Sequence, residues 1–385
     1  MRNTICEIIG GKMNYFPTYL AMGDAFCNRK QELKKIFYNI ENATPSLIIS
    51  PRRYGKTSLV FNALAQLKLP FSCVDFYKAL SKDDIEIFIL NGIGKLLGQL
   101  ETTPAKLRHI ANEFFANMQI KIVVLNTGIT LDFSNRTKKT TNVSVISEAL
   151  EKLQSLAAKK NKKVILFLDE FQVIGEVTED YSIEAVIREA AQKSPNVAYI
   201  FSGSNRHLME EMFYDKKRPF YKLCDLITID RISAEEYEEY IQKAALERWN
   251  KKLSPDLVDT ILFLTERHAY YVNRLCSLLW QNDFPGKEAI YAAWKNLVLE
   301  GRSIIEREVE LLNLNQRRVL LMLAVQGEAK EPYGKDFAIG LNLSASSTAR
   351  ALSGLIKKDY VFISKDGIYK VLDPLVSGVL SYEGQ

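Results

Sequence analysis

One short stretch constrains this chain more than any other. Ser50-Pro51-Arg52-Arg53-Tyr54-Gly55-Lys56-Thr57 lies between the apolar run Leu47-Ile48-Ile49 and an amphipathic stretch opening at Ser58-Leu59-Val60. A strand that turns through such a loop into a helix leaves successive backbone N–H groups and a helix N-terminus converging on one point, which suits phosphate. In that mechanism Lys56 reaches the β- and γ-phosphate oxygens and Thr57 ligates Mg²⁺. The full pattern begins with Gly, where this chain has Ser50, so the match is Gly55-Lys56-Thr57 with its context. Pro51, Arg52, Arg53, Tyr54, Gly55, Lys56, Thr57 and Ser58 are the candidate nucleotide-binding residues. The phosphate mechanism does not require Arg52 or Arg53, which are left the γ-phosphate, a carboxylate elsewhere or solvent.

The loop needs a second half. Lys162-Lys163-Val164-Ile165-Leu166-Phe167-Leu168-Asp169-Glu170 carries five consecutive apolar residues, as a strand buried on both faces does. In open α/β sheets ligands sit beyond the carboxyl ends of strands, so Asp169 and Glu170 are expected to face the same crevice as Lys56 and Thr57. Asp169 suits the outer coordination of Mg²⁺, and Glu170 is placed to polarise an attacking water. A further buried run, Val197-Ala198-Tyr199-Ile200-Phe201, ends in Ser202-Gly203-Ser204-Asn205-Arg206, whose polar groups could sense a γ-phosphate. Apolar runs near residues 71–76 and 226–229 complete four or five parallel strands interleaved with helices. Two departures from plain alternation stand out. Residues 120–125 and 129–133 read as a hairpin, and a polar, basic run follows at 135–141.

Length and composition agree with this reading. A chain of 385 residues has room for two or three domains of roughly 150 residues. Hydrophobic residues at 47% and charged residues at 25% are those of a globular protein and exclude a disordered or fibrous one. No apolar run has the length of a membrane span, and the first residues lack the apolar core of a secretory signal, so a cytoplasmic location is expected. Five cysteines without CxxC spacing and three histidines argue against disulfides and structural zinc. The net charge of +5 does not by itself imply nucleic acid.

Three segments follow from the patterns: an α/β nucleotide-binding domain at 1–231, a helical lid at 232–310 and a winged helix at 311–385. The lid opens at Ser233 with Glu236 three residues on, a capping signature. In the last segment, helices near 316–325, 335–339 and 344–358 precede a hairpin turning at Asp366-Gly367. In a DNA-binding winged helix the third helix enters the major groove, here with Ser346, Ser347, Arg350, Ser353 and Lys357 on its polar face and Lys365 at the wing tip.

The order of these motifs resembles a known family. Phe26-x-Asn28-Arg29-x-x-Glu32-Leu33, then Pro51-Arg52-Arg53-Tyr54-Gly55-Lys56-Thr57-Ser58-Leu59, Leu168-Asp169-Glu170-Phe171-Gln172, Gly203-Ser204 and Asp373-Pro374-Leu375 look like the archaeal-type ATPases. These belong to the AAA+/STAND division of P-loop NTPases and are relatives of archaeal origin-recognition initiators. The resemblance implies an α/β P-loop fold, a parallel sheet with helices on both faces, followed by the helical lid and a C-terminal winged helix. It also implies ATP as ligand, Mg²⁺ as cofactor and hydrolysis as activity. Lys56 and Thr57 would bind phosphate and Mg²⁺, Asp169 would support the metal, Glu170 would activate water, and Asn205 or Ser204 would act as first sensor. Arg218 stands about where AAA+ proteins place a finger for a neighbouring subunit, which points to a homo-oligomer or protein partner. Three positions depart from the family: Ser50 and Asn28 stand where Gly is usual, and Arg267-His268-Ala269 stands for Gly-x-Pro. Two rival classes remain, a nucleotide-gated switch with little turnover and a winged-helix DNA-binding regulator.

Overall fold

The computed structural model describes residues 15–116, 121–125, 128–132, 142–178, 180–334, 337, 340–364 and 366–383. The basic run at 135–141, Lys365 at the expected wing tip and all but Phe337 of the expected helix at 335–339 lie outside the described residues. The chain divides into two compact units. One comprises Arg29–Arg52 and Lys56–Asp230, the other Met1–Asn28, Arg53–Gly55 and Arg231–Gln385.

In the first unit, α1 (Lys30–Glu41), β1 (Ser46–Ile49), α2 (Lys56–Leu67), β2 (Phe71–Asp75), α3 (Lys82–Leu100) and α4 (Pro104–Phe115) are followed by the antiparallel pair β3 (Lys121–Leu125) and β4 (Gly128–Asp132). Then come α5 (Asn142–Lys159), β5 (Val164–Asp169), α6 (Gln172–Val177), α7 (Ser182–Lys193), β6 (Val197–Gly203), α8 (Arg206–Tyr214) and β7 (Asp225–Thr228). Local chemistry sets several ends: Ser81 accepts from the backbone N–H of Asp84 to cap α3, and Asn205 accepts from that of Leu208 to cap α8.

Five strands form one parallel sheet in the order β2-β5-β6-β1-β7. Every residue of β1, β5 and β6 is buried, which is why these segments read as apolar runs without alternation. The order has a functional consequence. Strand β6 lies between β1, which leads into the phosphate loop, and β5, which ends in Asp169, so residues at the end of β6 can touch both. The core around the sheet joins Leu47, Ile93, Leu153, Leu166, Phe201 and Phe213.

The second unit is helical up to its last segment: α9 (Ala234–Trp249), α10 (Pro255–Leu264), α11 (Ala269–Leu279), α12 (Lys287–Glu310), α13 (Leu314–Gln326) and α14 (Ala345–Lys357). The hairpin β8 (Val361–Ile363) and β9 (Tyr369–Val371) follows, then α15 (Pro374–Glu383), a closing helix absent from the expectations above. The lid and the winged helix were expected as separate segments meeting at residue 310. In the structure α12 runs up to that boundary and one core joins Ile241, Leu275 and Leu297 to Leu320, Leu352 and Val361. The cap at Ser233 forms, its hydroxyl accepting from the N–H of Glu236, while both halves of a capping box occur at Asn313 and Gln316. Among the described residues, no helix is long and apolar enough to cross a membrane.

Candidate active site

The loop between β1 and α2 owes its shape to two left-handed residues, Arg53 (φ 64°) and Gly55 (φ 94°). Gly55 tolerates this without strain, since it has no Cβ. Ser50 is buried and is not among the residues with positive φ, so its substitution for Gly carries no backbone strain. The other departures do carry it. Asn28 (φ 54°) and Arg267 (φ 59°) both occupy the left-handed region, where glycine is favoured, and asparagine tolerates that region better than other side chains. Ala269 is the first residue of α11, a position that proline suits and alanine fills without penalty.

Lys56 opens α2 and is buried, its ammonium donating to the carbonyls of Ser50 (2.9 Å) and Pro51 (3.1 Å). Next to it the Thr57 hydroxyl donates to Oδ2 of Asp169 at 3.3 Å. The phosphate loop and the end of β5 therefore meet as the sequence implied. Asp169 is buried, which pushes its carboxyl above the usual carboxylate range; the Ser202 hydroxyl, donating to Oδ1, works in the opposite direction.

Glu170 follows with φ 50°, a left-handed conformation that costs a non-glycine residue on the order of 1–3 kcal/mol. This turn lets two adjacent acids both engage residues of β6 and its extension. Ser202 holds Asp169, and Ser204, two residues on, donates to Oε2 of Glu170 at 2.7 Å. Gln172 Nε2 donates to the same oxygen at 2.5 Å. The glycine between the serines is a space requirement: a Cβ on Gly203 would stand 2.3 Å from Oε1 of Gln172 and 2.6 Å from Met209. On the loop side, Arg52 Nε donates to the Ser204 hydroxyl at 3.5 Å.

Two further expected site residues, Asn205 and Arg218, have side-chain partners of their own. Of the two residues offered as first sensor, Asn205 is exposed and its side chain caps α8 by accepting from Leu208, while the Ser204 hydroxyl faces Glu170. Arg218 is buried. Its Nη2 donates to Glu184 at 2.8 Å, Nη1 lies 3.7 Å from Glu211, and the guanidinium stacks over Tyr181 at 4.3 Å. Burial raises the Glu184 carboxyl to about 7 although Arg218 acts to lower it. Ser58 sits within α2, its carbonyl accepting from Asn62.

Residues 53–55, the tip of the loop, belong to the second unit. There the Arg53 guanidinium stacks over Tyr270 at 4.5 Å, and Tyr54 is buried edge-on against His268 at 4.7 Å. Arg231 donates to the Tyr54 hydroxyl (3.4 Å), to the Glu266 carboxylate (2.5 Å) and to the carbonyl of Leu372 (3.0 Å). Its role is invisible in sequence, because its partners are about 35 to 180 residues away. Ser202 and Gln172 were also missed as partners of the acidic pair. Polar residues at alternate positions closing an otherwise apolar strand were the available signal for Ser202 and Ser204.

A divalent cation can be tested against these donors. A hydroxyl and a buried carboxylate 3.3 Å apart are hard oxygen ligands of the kind Mg²⁺ takes, with phosphate and water completing its shell. Among the described residues no group of three or more His, Cys, Asp or Glu side chains could hold a metal without such help. Thr57 and Asp169 therefore fit Mg²⁺ arriving with a nucleotide.

Comparison with known proteins follows the same lines. Residues 26–273 match a family described as "ATPase domain predominantly from Archaea", and residues 305–381 match a "probable winged helix domain". Among solved structures, the chain is similar to the Walker-type ATPase of Pyrococcus abyssi at 18% identity, over 96% of this chain and 99% of that one, with a TM-score of 0.66. It is also similar to the ORC2 protein of Aeropyrum pernix in its ADPNP-ADP complexes (13% identity, 93% and 95% coverage, TM-score 0.55). A third is the Aeropyrum pernix ORC1 protein in complex with DNA (14%, 96% and 96%, TM-score 0.50). At these identities the likeness is one of fold. No curated protein matches the sequence.

Proposed function

The chain belongs to the family of ATPase domains found predominantly in Archaea, and from that premise we propose that it binds ATP and hydrolyses it to ADP and phosphate. The observation that carries this reading is the meeting of Thr57 with Asp169 at 3.3 Å, with Lys56 beside the first and Glu170 beside the second. Lys56 exchanges its two carbonyl partners for phosphate oxygens, and the start of α2 adds converging N–H groups. Thr57 and Asp169 would hold Mg²⁺ bound with the nucleotide, which would offset the negative charge on the phosphate oxygens. Glu170 orients a water and takes its proton as the water oxygen bonds to the γ-phosphorus and the bond to the β–γ bridging oxygen breaks. Ser204 and Gln172 hold the Glu170 carboxylate in place.

Isothermal titration with MgATP and steady-state turnover test this on wild type, Lys56→Ala and Glu170→Gln. Lys56→Ala is expected to lose binding, and Glu170→Gln to bind ATP while turnover falls about 10²–10⁴-fold. A wild-type chain that neither binds nor hydrolyses ATP sinks the proposal.

DNA is the proposed macromolecular partner of the winged helix, on one specific observation. Ser346, Arg350, Ser353 and Lys357 are exposed at helical spacing on α14, with Ser347 at its edge and Arg350 Nε resting on the carbonyl of Ser346. The Aeropyrum pernix ORC1 relative was solved with DNA. In a gel-shift salt series, Arg350→Ala should reduce the salt slope by about one phosphate contact. No retardation of duplex DNA at low salt would dismiss this partner.

A further inference from the structure

The phosphate loop holds two adjacent arginines that part company. Arg53 has a left-handed backbone and stacks on Tyr270. Arg52 stays with the sheet, its Nε 3.5 Å from the Ser204 hydroxyl, which itself lies 2.7 Å from Oε2 of Glu170. With Nε so placed, the terminal nitrogens of Arg52 keep four N–H donors in a planar fork that matches phosphoryl oxygens. The side chain is exposed and has no carboxylate partner among the described residues. Arg218, the arginine that the motif order offers to a neighbouring active site, is buried against Glu184 and Tyr181.

Position decides what Arg52 can reach. A terminal phosphoryl group bound by Lys56 must present its far side to the water that Glu170 orients, or no in-line attack occurs. One hydroxyl links Glu170 to Arg52, so the guanidinium stands beside that same gap. Charge accumulates on the phosphoryl oxygens in the transition state, and a preorganised cation there lowers the barrier most. We propose that Arg52 is a catalytic residue that supplies this charge in cis from the phosphate loop, with Ser204 tying its position to that of Glu170. The proposal rests on the ATPase reading above and assigns the chain an arginine of its own in place of one borrowed from a second subunit.

The full chain, Arg52→Ala and Arg52→Lys are compared in three measurements: turnover of MgATP, affinity for MgADP, and affinity for MgADP with aluminium fluoride, a mimic of the transferring phosphoryl group. In Arg52→Ala, kcat is expected to fall roughly 10³-fold or more. KM for ATP and affinity for ADP should stay within about threefold, and the extra affinity conferred by aluminium fluoride should vanish. Arg52→Lys keeps the charge without the fork and should recover about a tenth of the activity or less. Turnover in Arg52→Ala within about threefold of wild type overturns the proposal. So does a parallel fall in ADP affinity and kcat, which would make Arg52 a general phosphate contact. Binding of ATP by wild type without turnover overturns it too. Absence of any ATP binding by wild type instead removes the ATPase reading on which it rests, so the two failures are told apart.

Discussion

The hydroxyl of Ser204 donates to Oε2 of Glu170 at 2.7 Å, from the residue just beyond a strand that separates the acidic strand from the one feeding the phosphate loop. A neutral hydroxyl on a carboxylate fixes its direction without neutralising it, which is what a water-orienting acid needs. Gln172 adds a second donor to the same oxygen, and in the proposed reaction Oε1 of Glu170 is the atom that meets the water.

Removing the hydroxyl should show in kcat alone. Ser204→Ala is expected to lower kcat about ten- to a hundredfold, since hydrogen bonds to charged groups contribute about 1.5–3 kcal/mol, with ADP affinity unchanged. Ser204→Thr retains the hydroxyl and should recover much of the loss. Titration calorimetry alongside turnover separates the two effects; an unchanged kcat in Ser204→Ala would falsify this role.

Asn205 makes the opposite case. Its side chain caps α8, so Asn205→Ala should lose about 1 kcal/mol of stability and leave kcat within about twofold. Urea unfolding and turnover measured on the same preparation check this. A large kcat defect in a variant of normal stability would restore Asn205 to the site.

The buried pair of Arg218 and Glu184 predicts a stability defect where a subunit finger predicts a kinetic one. Arg218→Ala leaves Glu184 buried without its partner and should destabilise by about 3–5 kcal/mol. Replacing both partners, Arg218→Met with Glu184→Leu, should recover most of that. If Arg218→Ala keeps its unfolding midpoint and loses turnover in a manner dependent on protein concentration, the inward placement is not the functional one.

His268 gives the second unit a pH signature. It is 4% exposed, and burial, then Arg231 and Arg53, push its imidazole down to about 3. The unfolded chain takes up a proton near pH 6.5, which the folded chain refuses until about pH 3. The His268 contribution to stability is therefore full above about pH 6.5 and falls as pH drops toward 3, by roughly 1.4 kcal/mol per pH unit within that window. His268→Phe should flatten this dependence. Urea midpoints at several pH values for both proteins measure it, and an equal slope in the variant would count against His268 as its source.

Much of this molecule was legible in the chain because local chemistry wrote it there. Short unbroken apolar runs bounded by turn residues suit strands covered on both sides, so β1, β5 and β6 were visible, and with them the strand ends near Lys56, Thr57, Asp169 and Glu170. Caps at Ser81, Ser233 and Ser344 follow from interactions spanning three residues. The family resemblance likewise rested on short motifs, now matched over residues 26–273.

Tertiary structure alone decided which polar residue serves which partner. Strand order put β6 between β1 and β5, and that order, set by packing across many residues, gave Ser202 to Asp169 and Ser204 to Glu170. Adjacent residues with identical chemistry diverged for the same reason: Arg52 and Arg53 differ in backbone conformation, and so reach Ser204 and Tyr270. Arg218 and Glu184, 34 residues apart, are paired because the fold buries both. A sequence determines elements through neighbours three or four residues away. Long-range contacts determine partners, and at an active site the partners set the chemistry.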